Sequence, residues 1–147
     1  MNKEEQLGLQ TEVPIGDKEN TERPKVKFLL IDDQPGIVGG SNICFRDYPG
    51  FLAVECHTVE EALGAVEKHQ PGFLFLDHNL TSTMGGGGGE GFEIAQQVRD
   101  KFPDMKIIST TTDHFVLKAY PEKIGIEHID KSDISALEGF ISKNSKN

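Results

Sequence analysis

Two short apolar runs that end in acid constrain this chain more than any other feature. Val26-Lys27-Phe28-Leu29-Leu30-Ile31 leads into Asp32-Asp33, and Phe73-Leu74-Phe75-Leu76 leads into Asp77. Runs of this length, almost without polar alternation, fill strands buried on both faces. Such strands belong to a parallel sheet between two layers of helices, and in open sheets of that kind ligands sit beyond the carboxyl ends of the strands. The acids therefore stand where a site is expected.

The segments between and after these runs fit the same architecture. Pro35 suits the first turn of a helix, where its missing N–H is not needed; Ile37, Val38, Ile43, Cys44 and Phe45 would supply a buried side up to Tyr48, with Gly39-Gly40 as weak points. Phe51 to Cys56 reads as a second strand. Thr58 and Glu61 form a capping box for a helix through His69, with Ala62, Leu63 and Val66 inward and Pro71-Gly72 beyond its end. After Asp77 a glycine-rich loop leads to a helix from about Gly91 to Lys101, on which Phe92, Ala95 and Val98 recur at helical spacing towards Phe102. Met105 to Thr110 is a fourth strand, Asp113 to about Tyr120 a helix, and Ile126 to Asp130 a short fifth strand. Ile134, Leu137, Phe140 and Ile141 give a last helix its face. The expectation is an α/β fold in which five strands alternate with five helices, joined by right-handed crossovers.

With 147 residues there is room for one domain with a substantial core. Residues 1–25 are polar, hold Pro14, Gly16 and Pro24, and read as a disordered tail; residues 26–143 form the domain, and 144–147 a flexible end. A net charge of −9 opposes a role in gripping phosphate backbones, so nucleic acid is not an expected partner. No apolar run approaches the roughly 18 residues of a membrane helix, and the N-terminus lacks a signal-peptide core, which leads to the expectation of a cytoplasmic protein. Cys44 and Cys56 match no metal-ligand spacing and read as ordinary buried or half-buried thiols.

The strand ends carry Asp32 and Asp33 after the first strand, Asp77 after the third, Thr111 after the fourth and Lys131 after the fifth. Clustered carboxylates repel one another and are best tolerated beside a hard divalent cation such as Mg²⁺. Asp can attack phosphorus to form an aspartyl phosphate, while a metal, a Lys and backbone N–H groups stabilise charge on the transferring oxygens.

These residues carry a resemblance. KFLLIDDQP, FLFLDHN, IISTTTD and HIDKSD match, in order and approximate spacing, the acidic pair, phosphoacceptor strand, hydroxyl-bearing strand and Lys of the receiver domains of two-component response regulators. The resemblance covers about residues 26–143. It implies the doubly wound, CheY-like (flavodoxin-like) sheet of strand order 2-1-3-4-5. It implies Asp77 as phosphoacceptor and Mg²⁺ (or Mn²⁺) held by Asp33, by Asp32 largely through water, by Asp77 and by the backbone carbonyl of Asn79. Thr111 would bond a phosphoryl oxygen, with Thr110 as the competing choice, and Lys131 would pair with the phosphoryl group. The implied partners are a histidine kinase or histidine phosphotransfer protein as donor and a downstream target protein. Nothing foldable follows the last helix, so no output domain is expected in the chain.

The chain departs from the family at several points. The loop after Asp77 is long and holds five consecutive glycines, Gly85 to Gly89, which read as a tolerated insertion or as a mobile flap over the acceptor. His128 stands where the family commonly has a Tyr or Phe switch residue, and Ser132 replaces the proline that often follows the Lys, removing the expected cis peptide. His57, His69, His78 and His114 lack ligand spacing and read as solvated or capping side chains. Two other functions compete: a phosphatase of the haloacid dehalogenase type, whose motif Asp77-His78-Asn79-Leu80-Thr81 mimics without its second Asp, and a receiver-like module that docks without phosphorylation.

Overall fold

The structure is a computed structural model, and it describes residues 25–78, 90–112 and 125–145. The tail before Lys25, the Gly85–Gly89 run, Asn79, His114 and the helix expected from Asp113 to Tyr120 lie outside the described residues.

Five parallel strands form one sheet in the order β2-β1-β3-β4-β5. They are β1 (Phe28–Asp32), β2 (Phe51–Glu55), β3 (Phe73–Leu76), β4 (Lys106–Ser109) and β5 (Ile126–His128). Four helices are described: α1 (Pro35–Cys44), α2 (Val59–His69), α3 (Glu90–Lys101) and α4 (Ile134–Ser145). The chain runs outward from β1 to β2 and then back past β1 to β3, so the strand order reverses between β1 and β3. Clefts open at such a reversal because the connections on either side leave to opposite faces.

The central strands are buried on both faces, as their unbroken apolar runs require. Leu29, Ile31, Leu74, Leu76 and Ile107 join Ala62 and Val66 of α2 and Ile94, Ala95 and Val98 of α3 in one core. Phe28, Leu30, Phe75 and Ile108 join Leu137 and Ile141 of α4 in the other. Phe28 stacks on Phe73 at 5.1 Å between ring centres, and Phe140 of α4 meets Phe73 edge-on at 5.4 Å. Each fully buried side chain of this kind stabilises the fold by roughly 1.5–3 kcal/mol, which makes the sheet a rigid platform for whatever its ends carry.

The helix ends show which sequence signals held. Thr58 caps α2, its hydroxyl accepting from Glu61 N–H at 3.0 Å, while the Glu61 carboxylate accepts from His57 N–H rather than from the cap residue itself. Gln70 closes α2 in the left-handed region at φ 41°, just before Pro71. α1 stops at Cys44 instead of reaching Tyr48, because Phe45 leaves the helical conformation and its N–H closes on Ser41 O. Its inner face also differs: Ser41 is buried, whereas Ile43 and Cys44 are exposed. Ile134 on α4 is likewise exposed rather than on the inner face. The last helix runs through Ser145, beyond the expected boundary at 143.

Asn42 explains the rotation of α1. Its side-chain amide donates to Ala53 O at 3.0 Å and its carbonyl accepts from Ala53 N–H at 2.9 Å. β2 is an edge strand with outward backbone groups, and Asn42 satisfies one residue's pair of them as a neighbouring strand would. Turning Asn42 to the sheet turns Ile43 to solvent.

Candidate functional site

Asp32 ends β1, Asp33 follows it, and Asp77 follows β3, so the strand reversal brings the three carboxylates together. All three are buried, and one oxygen from each lies within 4.8 Å of the others. Among the described residues no other group of acids, histidines or cysteines clusters in this way. The site opens at the carboxyl edge of the sheet, where the two apolar runs lead.

Lys131 brings the counter-charge. Its backbone N–H donates to Thr110 O at 3.1 Å, which seats the turn after β5 against the end of β4. From there its ammonium donates to Asp32 Oδ2 at 2.9 Å and lies 3.5 Å from Asp77 Oδ2. Asp32 also accepts from Gln34 N–H at 3.0 Å. One cation thus faces three acids, and the balance shows in their proton affinities. Burial pushes Asp77 up from its ordinary 3.8 to about 6, reinforced by the charge on Asp32 and opposed by Lys131. Burial also raises Asp32, with the bond from Lys131 only partly offsetting it. On Lys131 burial opposes the charge, but the bond to Asp32 and the charges of Asp77 and Asp32 outweigh it, so the ammonium keeps its proton more firmly than usual.

A pocket of three buried carboxylates suits a hard divalent cation. The donor set is all oxygen and compact, and such oxygens match Mg²⁺ or Mn²⁺ rather than a thiolate- or imidazole-preferring metal.

The neighbouring strand supplies hydroxyls. Ser109, Thr110 and Thr111 are buried at the end of β4, and Thr111 N–H donates to Ser109 Oγ at 3.4 Å. The β3–β4 register places Ser109 level with Leu76, hence Thr110 level with Asp77 and Thr111 one residue beyond. His128 ends β5 half-buried and level with Ser109. The Lys131–Ser132 peptide is trans, and Asp130 Oδ1 shapes the turn by accepting from Ser132 N–H at 2.9 Å and from its hydroxyl at 2.7 Å.

Two features of the site escape a reading of motifs. His78, expected to be solvated or capping, is buried beside Asp77. Gly91, in the first turn of α3, donates its N–H to His78 O at 2.8 Å, and a Cβ there would stand 2.6 Å from both Asp77 O and His78 Cα. Only glycine lets α3 approach the backbone of Asp77 and His78 so closely. The loop glycines draw attention in the sequence, while Gly91, whose closeness depends on tertiary packing, does not. The remaining titratable groups stand apart: His57 is exposed and raised by its bond to Glu55, and burial pushes the Cys56 thiol up to about 11.

Comparison with known proteins places the fold. No family model matches the chain. A transcriptional regulatory protein of Salmonella typhi, BtsR, is 29% identical over 98 residues, which cover 66% of this chain and 38% of that protein; the match thus spans less than two fifths of the relative's length. Among solved structures, the response regulator TrrA of Thermotoga maritima in complex with Mg²⁺-BeF superposes with a TM-score of 0.59 at 23% identity, covering 79% of this chain and 96% of that one. A DNA-binding response regulator of the LuxR family from Staphylococcus aureus gives a TM-score of 0.61 at 20% identity, over 82% of this chain and 99% of that one. The isolated receiver domain of RcsB from Salmonella enterica serovar Typhimurium, solved with phosphomimetic BeF₃⁻, gives 0.58 at 17% identity, over 84% and 93%. The chain has the fold of response-regulator receiver domains, with the expected strand order 2-1-3-4-5.

Proposed function

We propose that this receiver fold is a working phosphoacceptor, in which Asp77 takes a phosphoryl group and the occupied site changes which partner the chain binds. The observation that carries the reading is the buried trio Asp32, Asp33 and Asp77 at the strand reversal, with the Lys131 ammonium between Asp32 and Asp77. A core with no chemical task would not keep acids so strained beside so little counter-charge.

Asp33, Asp77 and, largely through water, Asp32 would hold Mg²⁺ (or Mn²⁺), with the Asn79 carbonyl completing the set. The cation, when bound, neutralises the acids and the oxygens of the transferring group. A carboxylate oxygen of Asp77 attacks phosphorus in a phosphohistidine. The N–P bond breaks as the new O–P bond forms, and the imidazole nitrogen leaves with the bonding electrons. At neutral pH Asp77, half-titrated near 6, is mostly ionised and available as the nucleophile. Thr111 donates to a phosphoryl oxygen, and Lys131 exchanges part of its hold on Asp32 for the new negative charge. His128, level with Ser109 at the end of β5, would act as the switch residue that registers the change, at the position of the family's Tyr or Phe. The donor is a histidine kinase or phosphotransfer protein, the recipient of the signal a target protein, and the setting the cytoplasm.

Incubation with Mg²⁺ and acetyl phosphate tests the reading. One acid-stable, base-labile phosphoryl group per chain, absent from Asp77→Asn, is the expected result. Repeated turnover of phosphate esters would instead indicate a phosphatase, and no labelling at all a docking module that works without phosphorylation.

A further inference from the structure

Thr110 is held between the two strands that make the site. Its N–H donates to Leu76 O and its carbonyl accepts from Lys131 N–H, both at 3.1 Å, so its backbone ties the acceptor strand to the lysine turn. Continued by one residue, the β3–β4 register sets it level with Asp77. Neighbouring strands lie about 4.8 Å apart, within reach of a group that extends from one towards the other. Yet the Thr110 hydroxyl, on a residue only 1% exposed, has no hydrogen-bond partner among the described residues. A sealed, unpaired hydroxyl is unfavourable, and a valine of the same shape would fill the position without that defect.

We infer that Thr110 is a second hydroxyl ligand of the phosphoryl group, unpaired while Asp77 is free and paired once phosphoryl oxygens project from it towards β4. The inference rests on the phosphoacceptor reading and adds a contact to the one assigned to Thr111. Thr111 stands one residue further along β4, so the two hydroxyls meet the group at different heights along the strand. No covalent bond changes at Thr110: its O–H donates to an anionic oxygen that the unphosphorylated site lacks. Phosphorylation then removes a defect from the resting fold as well as adding a contact, and both effects favour the phosphorylated state.

The test compares the full chain with Thr110→Val and Thr110→Ser, using Mg²⁺ with beryllium fluoride as the phosphoryl mimic. Without the mimic, Thr110→Val is expected to raise Tm by about 2 °C or more, since it deletes an unpaired buried hydroxyl. With it, the same variant should bind beryllofluoride about ten-fold more weakly, the loss of one hydrogen bond to a charged acceptor, while Thr110→Ser binds like wild type. A Thr110→Val chain that binds like wild type, or that melts lower when unliganded, overturns the inference alone. A wild-type chain that neither binds beryllofluoride nor is labelled by acetyl phosphate overturns the phosphoacceptor reading and this inference with it.

Discussion

Asp77→Asn in a chelating buffer isolates the strain stored at the acid pocket. In the folded chain Asp77 loses its proton near pH 6 rather than near 3.8, chiefly because it is buried. Between those values the folded state holds a proton that the unfolded state has released, so the stability tied to the protonated carboxyl is fully present below about pH 3.8 and is lost as pH rises through 6. Two pH units at about 1.4 kcal/mol each amount to roughly 3 kcal/mol withdrawn from the fold at pH 7.5. Asn carries no charge and should recover about 2–3 kcal/mol of it, a rise of roughly 5–10 °C in Tm for a domain of this size. Urea or thermal melts of both proteins from pH 4 to 8 provide the assay, because the gap between them cancels the titration of groups away from the pocket. The gap should open between about pH 3.8 and 6, level off above 6, and shrink when Mg²⁺ is added. A gap that is constant across the range, or absent at pH 7.5, would refute the claim that burial and Asp32 raise the affinity of Asp77 for its proton.

Other consequences are simpler to state. Gly91→Ala places a Cβ 2.6 Å from two backbone atoms, Asp77 O and His78 Cα, and is expected to cost about 1–3 kcal/mol in urea unfolding and to weaken Mg²⁺ binding measured by calorimetry. Unchanged Mg²⁺ affinity would mean that α3 gives way instead of the Asp77 backbone. Asn42→Ala removes both bonds to Ala53, and should lower stability by about 1–2 kcal/mol while leaving acetyl phosphate labelling intact. In thiol titration at pH 8 the exposed Cys44 should react promptly and the buried Cys56, its thiol pushed to about 11, only on unfolding; two equally fast thiols would show that Cys56 is not buried.

The strands were legible because their evidence is local. FLFL could only be a doubly buried strand, and it spans β3 residue for residue. Thr58 announced its helix through side-chain chemistry that acts within a few residues of itself. The acids and the lysine were legible from their place after strands, since topology turns that place into a common edge. What the sequence hid depends on packing across elements. Ile43 looked like a core residue until Asn42 claimed the inner face for the β2 edge. Gly91 looked like one glycine among many until α3 was set against Asp77. The choice of Lys131 for Asp32 as its nearer partner, and the sealed hydroxyl of Thr110, follow from register, which no single motif encodes.

The bond between Lys131 and Asp32 joins residues 99 positions apart. A chain leaving the ribosome completes the acid pocket once β1 and β3 are made, but its ammonium arrives only with the turn after β5. Before that moment Asp32 and Asp77 lack the Lys131 ammonium that they share in the folded chain. The turn after the fifth strand therefore supplies a counter-charge to the acid that ends the first. The proposed phosphoryl chemistry therefore waits until β5 has joined the sheet.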